Sequence, residues 1–153
     1  MESTNLRQLI EEILRDSREM ILATCVDSMP WAVSLVFGHD EKFNLYWMSQ
    51  ENTRHSKELA KNPKVAVAIN KQSTGGGKDK GLQIQGKASR LPKNKILAVA
   101  QKFFAKRGLK KLPQSLEEAQ KMSEGRSWFA LKPSKIYVIY APLFGYGREE
   151  FKP

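Results

Sequence analysis

Three apolar segments of strand length follow one another with almost nothing between them, and this spacing limits the possible folds more than any other feature. Met20 to Val26, Trp31 to Phe37 and Phe43 to Met48 are rich in apolar, β-branched or aromatic residues. The gaps, Asp27-Ser28-Met29-Pro30 and Gly38-His39-Asp40-Glu41, hold turn formers. Connections this short predict an antiparallel meander. Val65 to Ile69 adds a strand of small residues. Leu82, Ile84, Gly86 and Ala88 then alternate with Gln83, Gln85, Lys87 and Ser89, a two-sided strand with one wet or site-facing side. Between them Ser73 to Lys80 carries three glycines but not the Gly-Lys-Ser/Thr ending of a phosphate loop, and it predicts a mobile hairpin connection. Trp128 to Lys132 and Lys135 to Tyr140 read as strands around a Pro133-Ser134 turn, and Gly145-Tyr146-Gly147-Arg148 as a flexible aromatic and basic tail.

Helices are few and separated. Leu6, Leu9, Ile10, Ile13 and Leu14 recur at helical spacing and predict an amphipathic first helix, capped near Ser3 or Thr4, that packs on the sheet. A second runs from about Thr53 to Lys61 and stops at Asn62-Pro63. A helical insert spans about 93–123: Lys93 to Lys106 after Pro92, then a polar stretch from Leu116 to Met122. Six or seven strands joined by tight turns, with helices set apart, favour a mainly β, α+β chain closing into an antiparallel barrel. With 153 residues, 41% of them hydrophobic, a single domain over 1–153 is expected.

Charge narrows the functional classes. The chain carries a net charge of +10, and no Asp or Glu occurs from Gly81 to Ser115. Lys93, Lys95, Lys102, Lys106, Arg107, Lys110 and Lys111 surround Phe103 and Phe104, which invites a nucleic-acid reading. Periodicity opposes it, because Ile96, Leu97, Val99, Ala100, Phe103 and Phe104 form one helical stripe. That stripe puts the phenylalanines in a core and the lysines on a solvated face, and a basic chain suits an anionic small ligand equally well. The lone Cys25 lies in an apolar run, reads as a buried small hydrophobe, and fits a reducing compartment. No signal peptide is visible and no apolar run approaches the roughly 18 residues of a membrane span, so a cytoplasmic protein without a membrane partner is expected. His39, among turn residues, reads as solvated, and no metal site is proposed.

The stretch Trp47-Met48-Ser49-Gln50-Glu51-Asn52-Thr53-Arg54-His55-Ser56-Lys57 runs from a strand straight into a helix start. Helix starts leave N–H groups unpaired, and those donors with the positive end of the helix dipole favour an anion. Arg54 adds a planar fork, with His55 and Lys57 beside it. A capped surface helix accounts for the same residues equally well.

The order of these segments, with Thr53-Arg54-His55, Asn62-Pro63-Lys64-Val65 and Gln85-Gly86-Lys87-Ala88-Ser89-Arg90-Leu91, resembles the pyridoxamine-phosphate-oxidase-like flavin-binding split barrels. Glu51-Asn52-Thr53-Arg54-His55 together with Leu143-Phe144-Gly145-Tyr146-Gly147 is most similar to a YhbP-like branch. The resemblance implies a split-barrel homodimer holding flavin mononucleotide (FMN) at two sites between the subunits. It places the phosphate on Thr53, Arg54 and His55, the ring along Val33, Ser34 and Leu35, and the ribityl side by Met48 and Ser49. Arg148 is the candidate to reach the flavin or an acidic substrate across the dimer, from the tail of the opposite subunit.

Departures from the family pattern matter. Val33 stands where the oxidases proper have an arginine, Gly38 where they have a lysine and Ile139 where they have a tryptophan, and their late Arg-x-His pair is missing. A flavin-dependent oxidoreductase acting on a small anionic substrate is therefore expected, rather than a true pyridoxamine 5'-phosphate oxidase. A flavin or haem carrier and a basic nucleic-acid module are the alternatives. The redox chemistry would be the cofactor's, and no side chain is assigned as catalytic.

Overall fold

The computed structural model describes residues 3–153, without the side chains of Ser3 and Thr4, so the cap expected there lies outside the described residues. In chain order the elements are α1 (Ser3–Asp16), β1 (Glu19–Val26), β2 (Met29–Val36), β3 (Gly38–His39), β4 (Leu45–Ser49) and α2 (Arg54–Lys61). There follow β5 (Lys64–Lys71), β6 (Lys80–Arg90), α3 (Lys93–Lys106), α4 (Leu116–Met122), β7 (Ser127–Tyr140), α5 (Ala141–Phe144) and β8 (Glu149–Phe151).

All strands pair antiparallel in the order β2-β1-β5-β6-β7-β4-β3, with β8 on the far half of β7. β2 and β3 stand at opposite ends of this order, yet only Phe37 separates them in the chain. The sheet must therefore curl until its ends meet, which makes the split barrel. Phe37 is fully buried at that seam, and its N–H reaches Arg18 O at 3.4 Å.

The expected three-strand meander does not form. β1 and β2 make the hairpin, with Asp27 and Ser28 at positive φ in its turn, but β4 leaves β2 and pairs with β7 from Leu45↔Leu131 to Ser49↔Ser127. The physical cause is the Gly38-His39 pair, which is a short strand bonded to β4 rather than a turn. The real turn comes later, where the Asp40 carboxylate accepts from the Lys42 and Asn44 N–H groups and Phe43 adopts φ 63°.

Two other expectations change. Pro133-Ser134 is not a turn, because β7 runs unbroken past it and absorbs the extra residue as a bulge opposite Gln85/Gly86. Gly86 is obligatory there: a Cβ would lie 2.4 Å from Lys132 O. Beyond the Gly145 to Arg148 segment, where Tyr146 is fully exposed, the chain does not end loose: β8 pairs with β7 and Phe151 is buried edge-on against Phe43, with ring centroids 5.7 Å apart.

Inside the barrel α1 buries Leu6, Leu9, Ile10, Ile13 and Leu14 against Leu22, Val67, Ile84 and Val138, as its spacing predicted. Each such side chain contributes roughly 1.5–3 kcal/mol. A second core lies between the sheet and the insert. There Trp128 meets Phe103 and Phe104 edge to face at 5.1 and 6.0 Å, and its indole N–H donates to Ser123 Oγ at 2.8 Å. Both phenylalanines are thus core residues, as their period required. No helix among the described residues is long and apolar enough to cross a membrane.

Candidate functional site

The start of α2 gathers four of the expected residues. Thr53 is its N-cap, accepting from Ser56 N–H at 3.3 Å. The cap hydroxyl also lies 3.0 Å from Gln50 O and 2.7 Å from Ser56 Oγ, so it is fully engaged within the protein. His55 is buried, with Nε2 2.8 Å from Ser49 Oγ and 3.3 Å from Thr53 Oγ. Burial holds its pKa below the ordinary value, so the ring is neutral at pH 7. Rather than facing an anion, His55 ties the end of β4 to the first turn of α2.

Arg54 is the open cation of the group. Its guanidinium lies 4.1 Å over the Trp31 ring, and Nε donates to Glu58 Oε1 at 3.0 Å. The two terminal nitrogens have no protein partner among the described residues, and the Arg54 side chain is 47% exposed. Glu58 also accepts from Thr24 Oγ1 at 2.9 Å. Burial would raise the Glu58 pKa, but the bonds from Arg54 and Thr24 outweigh it and hold the group ionised.

The sequence reading missed Trp31, Thr24 and Glu58. The four-residue spacing of Arg54 and Glu58 on one helix was the available signal. Trp31 and Thr24 pair across β1 and β2, a register that no local pattern reveals.

Val33 and Leu35 share the inner face with their partners Leu22 and Met20 and pack half-buried against the core, while Ser34 is exposed. Their side chains back the strand; the backbone of β2 offers the contact. Among the described residues β2 pairs with β1 alone, so its outer edge keeps free N–H and C=O groups. Met48 packs into the second core and Ser49 is buried on His55.

Arg148 does not join this group. It lies 3.9 Å over Tyr137 and donates to Gln83, on the outer face of the sheet. It lines a hollow of about 450 Å³ there with Ile21, Ala23, Ala66, Ala68 and Gln85. A neighbouring hollow of about 600 Å³ shares Ala23, Ala66 and Gln85 and is rimmed by Lys64, Lys87 and Lys132. Cys25 lines the second hollow and is half-buried, not the core residue expected.

His39 is mostly buried, with Nε2 2.9 Å from Glu11 Oε1, rather than solvated. Gly38 packs closely on α3, where a Cβ would meet Phe103 Cα at 3.3 Å, a tight contact. Lys106 and Arg107 leave the solvated face. Lys106 Nζ donates to Leu14 O at 2.8 Å, and Arg107 donates to Phe103 O and Phe37 O at 3.0 and 3.1 Å.

A curled antiparallel sheet with a helix inside and a cation at the α2 start defines the split-barrel class. Residues 6–140 match the pyridoxamine 5'-phosphate oxidase family, and the chain belongs to it. Solved structures with the same fold include general stress protein 26 from Bacillus anthracis, 20% identical, covering 97% of this chain and 99% of that one, with TM-score 0.67. An FAD-binding protein from Mesorhizobium loti is 16% identical, with coverage of 99% and 96% and TM-score 0.68. A heme-binding protein from Mycobacterium smegmatis is 16% identical, with coverage of 99% and 58% and TM-score 0.66. No curated protein matches the chain.

Proposed function

We propose that this chain is a flavoprotein, holding FMN with its phosphate at Arg54 and acting as an oxidoreductase on a small anionic substrate. The observation that carries the reading is the Arg54 fork, with its terminal N–H groups open and its plane braced on Trp31, beside the free edge of β2. The donor set suits the cofactor. A phosphate would take the Arg54 fork and the first amides of α2, and the polar edge of a ring would take the β2 backbone. Membership of the family and the FAD-binding relative support flavin as the ligand class.

Bound flavin would supply hydride or two-electron transfer. The chain's own contribution would be to hold and orient it. Arg54 would balance the phosphate charge, and Ser49, Thr53 and neutral His55 would keep the helix start in place. The cradle is weak for its class, because His55 adds no charge and Glu58 neutralises part of Arg54. We read the protein as a cytoplasmic homodimer. The small residues Ala23, Ala32, Ala66 and Ala68 with the exposed Ile21 give it an outer face, shallowly hollowed, that is suited to a second copy.

The haem alternative is less well served, since Nε2 of each histidine is already engaged. The nucleic-acid alternative loses its stacking aromatics to the second core. The visible spectrum of the purified protein, alone and after adding FMN, tests the proposal. Bands near roughly 370 and 450 nm at about one flavin per chain support it; absence of retained or added flavin overturns it. Sedimentation at micromolar concentration tests the assembly, and a clean monomer would remove it.

A further inference from the structure

The end of α1, the link from it to β1 and the end of α3 form an open cavity of about 440 Å³ lined by Arg15, Asp16, Ser17, Arg18, Lys106 and Arg107. Four of these six residues are cations. The single acid is already engaged, for Asp16 takes Lys71 Nζ at 2.7 Å and Arg15 Nε at 3.2 Å. Arg54 and the rest of the α2 start take no part in this lining.

Part of the cluster has a structural explanation. Lys106 and Arg107 donate to Leu14 O and Phe103 O, carbonyls in the last turns of α1 and α3, and Lys or Arg commonly serves helix ends in this way. Lys106 Nζ also lies 3.7 Å over the Phe37 ring and the Arg107 guanidinium 3.6 Å over Phe103. These contacts use only some of the N–H groups each side chain carries.

The charges also oppose one another. Burial, and then the charge of Arg107, pushes Lys106 down to about 8, against the opposite pull of the Glu11 carboxylate, which lies 2.9 Å from His39 Nε2; burial, and then Arg18, pushes Arg107 down to about 10. Cations that outnumber the carboxylates in a concave, partly desolvated place are complementary to an anion. The cavity has the size of a small-molecule site. Its lining contains no apolar side chain to hold a hydrophobic body.

We propose that this cavity is a second anion site, taking a small polyvalent anion of the phosphate class, with Arg18, Lys106 and Arg107 supplying the charge. Inorganic phosphate, pyrophosphate and the headgroup of a phosphate monoester share the required chemistry. The site is independent of the flavin reading.

Thermal unfolding and titration calorimetry with inorganic phosphate, pyrophosphate and a simple phosphate monoester, against chloride at equal ionic strength, test it. The chains compared are the wild type, Arg54→Ala and Arg18→Ala. Phosphate-class anions should stabilise both wild type and Arg54→Ala beyond chloride. Arg18→Ala should lose about tenfold in affinity, the scale of one charged hydrogen bond. Tighter binding of one probe identifies the source of the phosphate group. Arg18 is exposed, so its variant keeps the fold. Stabilisation no greater than with chloride overturns the proposal, as does an effect that disappears in Arg54→Ala or stays intact in Arg18→Ala.

Discussion

The Glu58 carboxylate occupies the Nε side of Arg54 at 3.0 Å and leaves the two terminal nitrogens of the fork facing outward. This arrangement holds the guanidinium in one orientation and cancels part of its charge. Glu58→Gln retains an acceptor for Thr24 and removes the negative charge. FMN should then bind several-fold tighter, measured by fluorescence titration, with riboflavin unaffected. Glu58→Leu should instead cost about 1–3 kcal/mol in chemical denaturation, because Thr24 Oγ1 loses its buried partner.

Arg54→Ala separates the phosphate from the ring. Loss of a bidentate charged contact should weaken FMN by tenfold or more, and riboflavin, which has no phosphate, by little. Equal losses for both ligands would move the phosphate elsewhere.

Gly86→Ala tests the bulge that carries β7 past Pro133. The added methyl would lie 2.4 Å from Lys132 O and 2.9 Å from Leu131 Cδ2, both in the paired strand. Overpacking of this kind should destabilise the protein by about 1–3 kcal/mol or more, read from the urea midpoint.

Two buried bases set the pH dependence. The pKa of His55 is held below 6.5 by burial, so the unfolded chain binds more protons than the native one as pH falls below 6.5. The stability it contributes above pH 6.5 is lost as pH falls through its native pKa, and His55→Gln should flatten that limb. Lys106 acts in the same sense at higher pH. Its pKa falls from 10.5 to about 8, so stability should rise between about pH 8 and 10 and Lys106→Met should remove the rise. Above pH 10 the buried Tyr46, raised by burial and by the Asp40 carboxylate, opposes the gain as the unfolded phenol ionises first.

Local pattern revealed most of the elements and few of their neighbours. The α3 boundaries follow from Pro92 and the stripe ending at Phe104, and the outer face of β6 from the alternation of Gln83, Gln85 and Lys87. The partner of β4 did not follow, because Leu45 to Ser49 find β7 some eighty residues later, and short-range spacing carries no record of that. The inward course of Lys106 and Arg107 was hidden for the same reason: the carbonyls that draw them in belong partly to Leu14 and Phe37, on remote elements. At the α2 start, Arg54 was legible from its place after a cap, whereas the burial of His55 depends on Ser49 and a packed interior that composition does not describe.

The pairing of β4 with β7 has a consequence for how the chain is made. As it emerges during synthesis, Trp47 and Leu45 appear early, yet the strand that flanks them ends at Tyr140. Until that segment arrives, the nascent barrel keeps an open edge and an uncovered indole, a state prone to association with other chains. The hairpin of β1 and β2 can close at once, but β4 must wait for almost the whole sequence, so any pause before residue 127 prolongs that exposure.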